Sequence, residues 1–208
     1  MTDATLPQIF LARHGETEWS LSGRHTGRAD VPLTEHGRHN ARNLGARLAG
    51  RTFARAFTSP SVRARQTCEL AGFGDVAVAD EDLHEWDYGR YEGLTSRQIR
   101  ESAPDWLLWR DGCPGGESVA QVGARADRVV ARLRASATGD TLVFSSGHFL
   151  RVLAARWIGL DASRGIALVL GTGSLSVLGY EHRLAWPAIL LWNETSHVAP
   201  RGAAAGRS

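Results

Sequence analysis

The sequence predicts an α/β fold: a three-layer α/β/α sandwich on a mostly parallel sheet with an antiparallel edge. Short apolar, strand-like runs alternate with longer stretches of helical periodicity, the pattern of parallel pairing with helices on both sheet faces. The last two strand-like runs break that alternation and follow each other directly, as an edge hairpin does. With 208 residues, 43 % of them hydrophobic, the chain can bury roughly 70 % of the surface its unfolded form exposes. No disulfide or metal is needed to hold it together.

The apolar run ending in Ala12 predicts a first strand over Gln8 to Arg13. A helix follows over Glu35 to Ala49, with Thr34 as its N-cap, and then a strand over Arg55 to Thr58. Ser59-Pro60 sets a proline where a second helix, Ser61 to Leu70, begins. A short strand over Val76 to Ala79 precedes helices over Thr95 to Ser102 and Glu117 to Ser136. The strand Thr141 to Ser145 leads into a helix over His148 to Ile158. The edge hairpin pairs Ser174 to Tyr180 with Ala188 to Trp192 through Glu181 to Pro187. No internal repeat or linker divides the chain, so residues 1–199 read as one domain. The small, polar stretch Pro200 to Ser208 reads as a disordered tail.

Composition narrows the function classes. All 24 basic residues are arginine, scattered against 22 acidic ones for a formal net charge of +2. That balance argues against a nucleic-acid or anionic-membrane partner. Cys68 and Cys113 form no C-x-x-C pair and read as free thiols in a reducing compartment. No run of about 18 apolar residues and no secretory start is present, so a cytoplasmic protein is expected. His36 and His39 share a helix face without a third ligand nearby. They read as a solvated face, with no metal and no cofactor implied.

In open α/β sheets ligands collect outside the carboxyl ends of the strands. Arg13-His14-Gly15 follows the first strand, and the glycine would let backbone N–H groups approach an anion. Ser59, Pro60 and Arg63 follow the second strand. Ser146-Gly147-His148 follows the fourth, and the polar segment Leu83 to Gly89 lies beyond the third. Together they supply an imidazole, two guanidiniums and a carboxylate.

These segments resemble the histidine phosphatase superfamily, in the branch of cofactor-dependent phosphoglycerate mutases and small acid phosphatases. The resemblance rests on ordered blocks: Arg13-His14-Gly15-Glu16-Thr17, Gly23 to Gly27 with Pro32-Leu33-Thr34 and Gly37, Ser59-Pro60 with Arg63 to Thr67, Glu85 with Tyr88-Gly89 and Glu92-Gly93, and Gly115 to Ser118. It implies a phosphoglycerate mutase-like fold and a two-step transfer. His14 attacks phosphorus, Glu85 protonates the leaving oxygen, and water then releases phosphate. Arg13 and Arg63 would clamp the phosphoryl oxygens and keep His14 neutral. Thr26 and Gly27, with Tyr88, match positions that touch the substrate beyond its phosphate.

Two positions depart from the family pattern. Ser20 stands where an asparagine is usual, and its hydroxyl can still bond a phosphate oxygen. Ser146 stands where a second catalytic histidine is usual. His148 could supply an imidazole from a shifted position, since residues i and i+2 share a face if the strand continues that far. The alternatives are a slower phosphatase that relies on Arg13, Arg63 and backbone N–H groups, or a protein that binds a phosphorylated metabolite without turnover. The stretch Leu94 to Gly112 is short and adds only Arg97, Arg100 and Arg110, which favours a phosphatase over a mutase. Trp106 and Trp109 read as core, and Arg65, Glu81 and Asp82 as surface groups. The expected partner is a small phosphorylated substrate, and an edge strand or helix offers a route to a homodimer.

Overall fold

The computed structural model describes residues 6–135 and 139–200. A six-stranded sheet runs in the order β3-β2-β4-β1-β5-β6. Its strands are β1 (Ile9–Arg13), β2 (Arg55–Thr58), β3 (Ala77–Ala79), β4 (Thr141–Ser145), β5 (Leu175–Tyr180) and β6 (Pro187–Glu194). β1 to β4 pair in parallel, while β5 runs antiparallel to β1 and β6 antiparallel to β5. The antiparallel edge therefore stands where the sequence put it.

Strand alternation sorts the core onto two faces. Ile9, Leu11 and Val143 face one cluster, with α6 (Val119–Ala135) and α7 (Gly147–Trp157). Phe10, Ala12, Leu142 and Phe144 face the other, with α2 (Glu35–Leu48) and α3 (Val62–Leu70). Trp106 and Trp109 are buried in the first cluster, as expected. Thr34 caps α2 by accepting the Gly37 N–H at 3.0 Å.

Several local expectations change. Pro60 does not open α3: Ser61 is its N-cap, and the Ser61 N–H turns back to Ser59 Oγ. α7 begins at Gly147, one residue early, because β4 ends at Ser145 and Ser146 is the extended N-cap. His148 is thus helical, and the strand alternation that would align it with Ser146 does not apply. Three short helices complete the set: α1 (Glu18–Ser22), α4 (Ser96–Ser102) and α5 (Leu108–Asp111). α1 and α5 are too short to show a helical period. α1 is held instead by a Thr17–Ser20 capping box and by Gly23 at φ 70°. The expected end of α6 at Ser136 and the tail after Pro200 lie outside the described residues.

Cys68 and Cys113 are both free and buried, and burial pushes each thiol up to about 12. Among the described residues no helix is long and apolar enough to cross a membrane.

Candidate active site

Register sets the first residue of the site. β1 and β4 align Arg13 with Ser145, and the next backbone unit is pinned on both sides. The His14 N–H donates to the Ser145 carbonyl, and the His14 carbonyl accepts from the Gly173 N–H, each at 2.9 Å. His14 is buried, 5 % exposed. Its Nδ1 lies 2.7 Å from the Gly15 carbonyl. A carbonyl only accepts, so Nδ1 carries the proton and Nε2 keeps its lone pair. Burial, followed by the charges of Arg63 and Arg13, holds this histidine well below its usual 6.5.

Gly15 has a different task from the one its sequence suggested. Its N–H donates to Thr67 Oγ1 at 3.0 Å, and that hydroxyl donates to the Arg63 carbonyl at 2.7 Å. The amide is therefore committed to α3 and not open to an anion. A Cβ here would stand 2.6 Å from the Gly37 carbonyl oxygen of α2, which is why the position takes glycine.

The two guanidiniums are held by backbone carbonyls. Arg63 is fully buried and donates to the carbonyls of Ala29, Thr26 and Gly27 at 2.9–3.0 Å. Arg13 donates through Nη1 to the Leu170 carbonyl. The Nε atoms of both are buried without a hydrogen-bond partner among the described residues. Arg65, the rival cation two residues on, is exposed.

Gly27 and Ser20 support the site without offering a donor to it. The Gly27 N–H goes to Glu92 Oε1 at 2.8 Å and its carbonyl to Arg63, so it fixes the guanidinium and does not touch the cavity. The Ser20 side chain reaches the cavity, yet its hydroxyl donates to the Thr17 carbonyl at 2.8 Å within the α1 cap.

Glu85 is 5 % exposed, and its carboxylate caps α7. Oε1 accepts from the Trp86 and Phe149 N–H groups at 2.9 and 2.7 Å, and Oε2 accepts from the His148 N–H at 2.9 Å. Ser146, formally the N-cap, makes no side-chain cap, and its buried Oγ has no partner among the described residues. The segment carrying Glu85 is anchored by Arg125, which donates to the carbonyls of Asp82, His84 and Glu85 and pairs with Glu117 at 2.7 Å. Sequence reading missed Arg125. Its spacing from Val122 and Val129, which sets it on the apolar face of α6, was the available signal.

Tyr88 and His148 meet at 2.6 Å, hydroxyl to Nδ1. Burial, then the charge of Glu85, pushes the phenol well above 10, so it stays neutral. His25 lies 4.7 Å from the Tyr88 ring, centroid to centroid, with Nε2 3.2 Å from Ser96 Oγ. Burial lowers it to about 4. His148 is also pushed well down, by burial and then by the charge of Arg151.

These groups enclose a cavity of about 180 Å³. From the residues singled out in the sequence it draws Arg13, His14, Glu85, Tyr88, Gly147 and His148, with Ser20 and Thr26 at its side. Arg63, Ser146 and Gly27 do not line it; Arg63 and Ser146 are fully buried. Arg24, His25, Arg151 and Leu170 line it and were not expected. The signal for Arg151 was its i+3 spacing from His148.

Among the described residues no group of three His, Cys, Asp or Glu side chains could hold a metal. His36 is not on a solvated face: its Nε2 lies 2.9 Å from the Ala199 carbonyl and its Nδ1 3.4 Å from Glu16.

The chain is similar over most of its length to known phosphatases. The chain is 45 % identical over 197 residues to an acid phosphatase of Mycobacterium tuberculosis, spanning 93 % of this chain and 95 % of that protein. It is 37 % identical over 189 residues to sedoheptulose 1,7-bisphosphatase of Saccharomyces cerevisiae, spanning 76 % and 70 %. A solved structure of a Mycobacterium tuberculosis open reading frame superposes with a TM-score of 0.85 at 42 % identity, covering 90 % of this chain and 97 % of the other. The family model of the histidine phosphatase superfamily (branch 1) matches residues 9–195. The chain therefore belongs to that superfamily, as a histidine phosphatase enzyme.

Proposed function

We propose that this protein is a phosphomonoesterase that hydrolyses a small phosphorylated metabolite through a phosphohistidine on His14. The observation that carries the reading is the state of His14. It is neutral, its proton is fixed on Nδ1, and two guanidiniums without carboxylate partners among the described residues act on it.

In the first step Nε2 bonds to phosphorus as the ester P–O bond breaks, and Glu85 gives its proton to the departing oxygen. In the second, water attacks phosphorus, the P–N bond breaks, and Glu85 takes the water's proton as phosphate leaves. The phosphoryl group spreads negative charge over its oxygens in flight, and Arg13 and Arg63 supply positive charge in a site that needs no reorganisation. Arg13 lines the cavity with an Nε that has no partner among the described residues, while Arg63 does not line it and acts through its charge. Arg97, Arg100 and Arg110 do not line the cavity, which favours hydrolysis over mutase chemistry.

Hydrolysis of an aryl phosphate by the wild type and by His14→Ala tests the reading. Turnover that disappears in the variant, with phosphohistidine recovered from the wild type after acid-free quenching, supports it. Phosphate binding without turnover at pH 5 to 7, even at high enzyme concentration, overturns it in favour of a binding protein.

A further inference from the structure

Residues 84–88 belong to no helix or strand, so the segment that carries Glu85 has no backbone ladder of its own. Side chains take over that task. Arg125 donates through Nη1 to the carbonyls of Asp82 and His84 at 2.9 and 2.6 Å, and through Nη2 to that of Glu85 at 3.1 Å. Ser145 Oγ, at the end of β4, donates to the Leu83 carbonyl at 2.6 Å. Four consecutive carbonyls are thus held from outside the segment. The rest of the Arg125 guanidinium meets Glu117 as a two-pronged pair, Nε to Oε1 at 2.8 Å and Nη2 to Oε2 at 2.7 Å. Every N–H of the guanidinium is therefore engaged.

The pair also reaches the groups that hold the carboxylate itself. The Arg125 guanidinium carbon stands 4.5 Å from the centroid of the Phe149 ring, and the Phe149 N–H donates to Glu85 Oε1. Glu117 continues the cradle beyond Glu85. Its Oε2 accepts the Asp87 N–H and its carbonyl accepts the Trp86 indole N–H, each at 2.9 Å. Burial works against the Glu117 carboxylate, yet the bonds from Arg125 outweigh it and hold the group below its usual range. As opposite charges in contact, Arg125 and Glu117 supply hydrogen bonds without placing a net charge behind Glu85. A proton donor must be held within about 0.5 Å of its working position. An irregular segment gains that precision only from what packs against it.

We infer that Arg125, braced by Glu117, is the positioning residue of the proton donor, acting on the reaction through Glu85 by fixing where that carboxyl group stands in the cavity. The inference rests on the phosphatase reading and deepens it. Arg125 does not line the cavity, so its influence on the chemistry is indirect.

Leaving groups separate positioning of a proton donor from a merely structural role. Propyl phosphate releases an alkoxide that needs a proton, whereas 2,4-dinitrophenyl phosphate releases a stable phenolate. kcat/KM reports the steps through cleavage of the ester bond. The double variant Arg125→Met/Glu117→Leu removes both charges and leaves no buried ion unpaired. Its kcat/KM for propyl phosphate is expected to fall about 10²-fold, and that for the dinitrophenyl ester less than about 3-fold. kcat for the dinitrophenyl ester falls too, with KM falling alongside it and a burst of phenolate, because Glu85 also takes the proton of the attacking water. Arg125→Lys keeps the pair with Glu117 but has three donors for five bonds. It carries the same test in milder form, with a loss of about tenfold confined to propyl phosphate. Added to Glu85→Gln, the double substitution should cost propyl phosphate nothing further.

Equal losses of kcat/KM on the two esters, no loss on propyl phosphate, or losses that multiply with Glu85→Gln overturn the inference alone. Wild-type turnover of neither ester overturns the phosphatase reading, and this inference with it.

Discussion

The Tyr88 hydroxyl lies 2.6 Å from His148 Nδ1, joining the loop that carries Glu85 to the first turn of α7. The His148 N–H completes the same junction by donating to Glu85 Oε2 at 2.9 Å. The tyrosine therefore orients the imidazole of a residue whose backbone N–H holds the Glu85 carboxyl group proposed as the proton donor.

Tyr88→Phe removes this contact and leaves the imidazole nitrogen without its partner. We expect kcat/KM for an aryl phosphate to fall roughly 3- to 10-fold, the worth of one such hydrogen bond. Paired with His148→Ala in a double-mutant cycle, the losses should be less than additive. Fully additive losses would show that the two side chains act independently.

Ser146 tests the departure from the family pattern. Its Oγ is buried without a partner and brings no charge to the anion. If the absent donor limits the rate, Ser146→His should raise turnover by about 10². An equal or lower rate in a folded variant counts against that account.

Stability should fall on acidification through the site's histidines. His14 and His148 lie well below 6.5 and His25 at about 4, each chiefly because burial disfavours the charged form. Below about pH 6.5 the unfolded chain binds protons that the folded protein refuses. Folding stability is then full above pH 6.5 and is lost as pH falls, at up to about 1.4 kcal/mol per pH unit per histidine. The melting temperature should therefore drop between pH 7 and pH 5, and an unchanged value would contradict the neutral assignment. The sign for chemistry is opposite, because His14 remains unprotonated and nucleophilic well into the acid range.

Much of the site was legible because its chemistry is local to strand ends. Arg13-His14 closes β1 and Gly147-His148 opens α7, so parallel pairing brings them together whatever the loops do. Glu85 was chosen among acidic neighbours by motif spacing, and the structure buries it while Glu81 stays exposed. Gly15 was assigned to an anion by its residue type, and Gly27 and Ser20 were assigned to the ligand by the positions they match in the family pattern. Each instead spends its donor on the protein, and which partner an N–H finds depends on what packs beside it.

The sequence by itself determined the α/β alternation, the antiparallel edge and the residue types gathered at the carboxyl ends of the strands. Periodicity and strand order are properties of the chain's local pattern. Only the tertiary structure decided that Glu85 caps α7 in place of Ser146, that Arg125 anchors the Glu85 segment, and that Arg151 and His25 face the cavity. Those outcomes depend on how helices dock on the sheet. Burial then sets which charges are neutralised and which are left for a ligand.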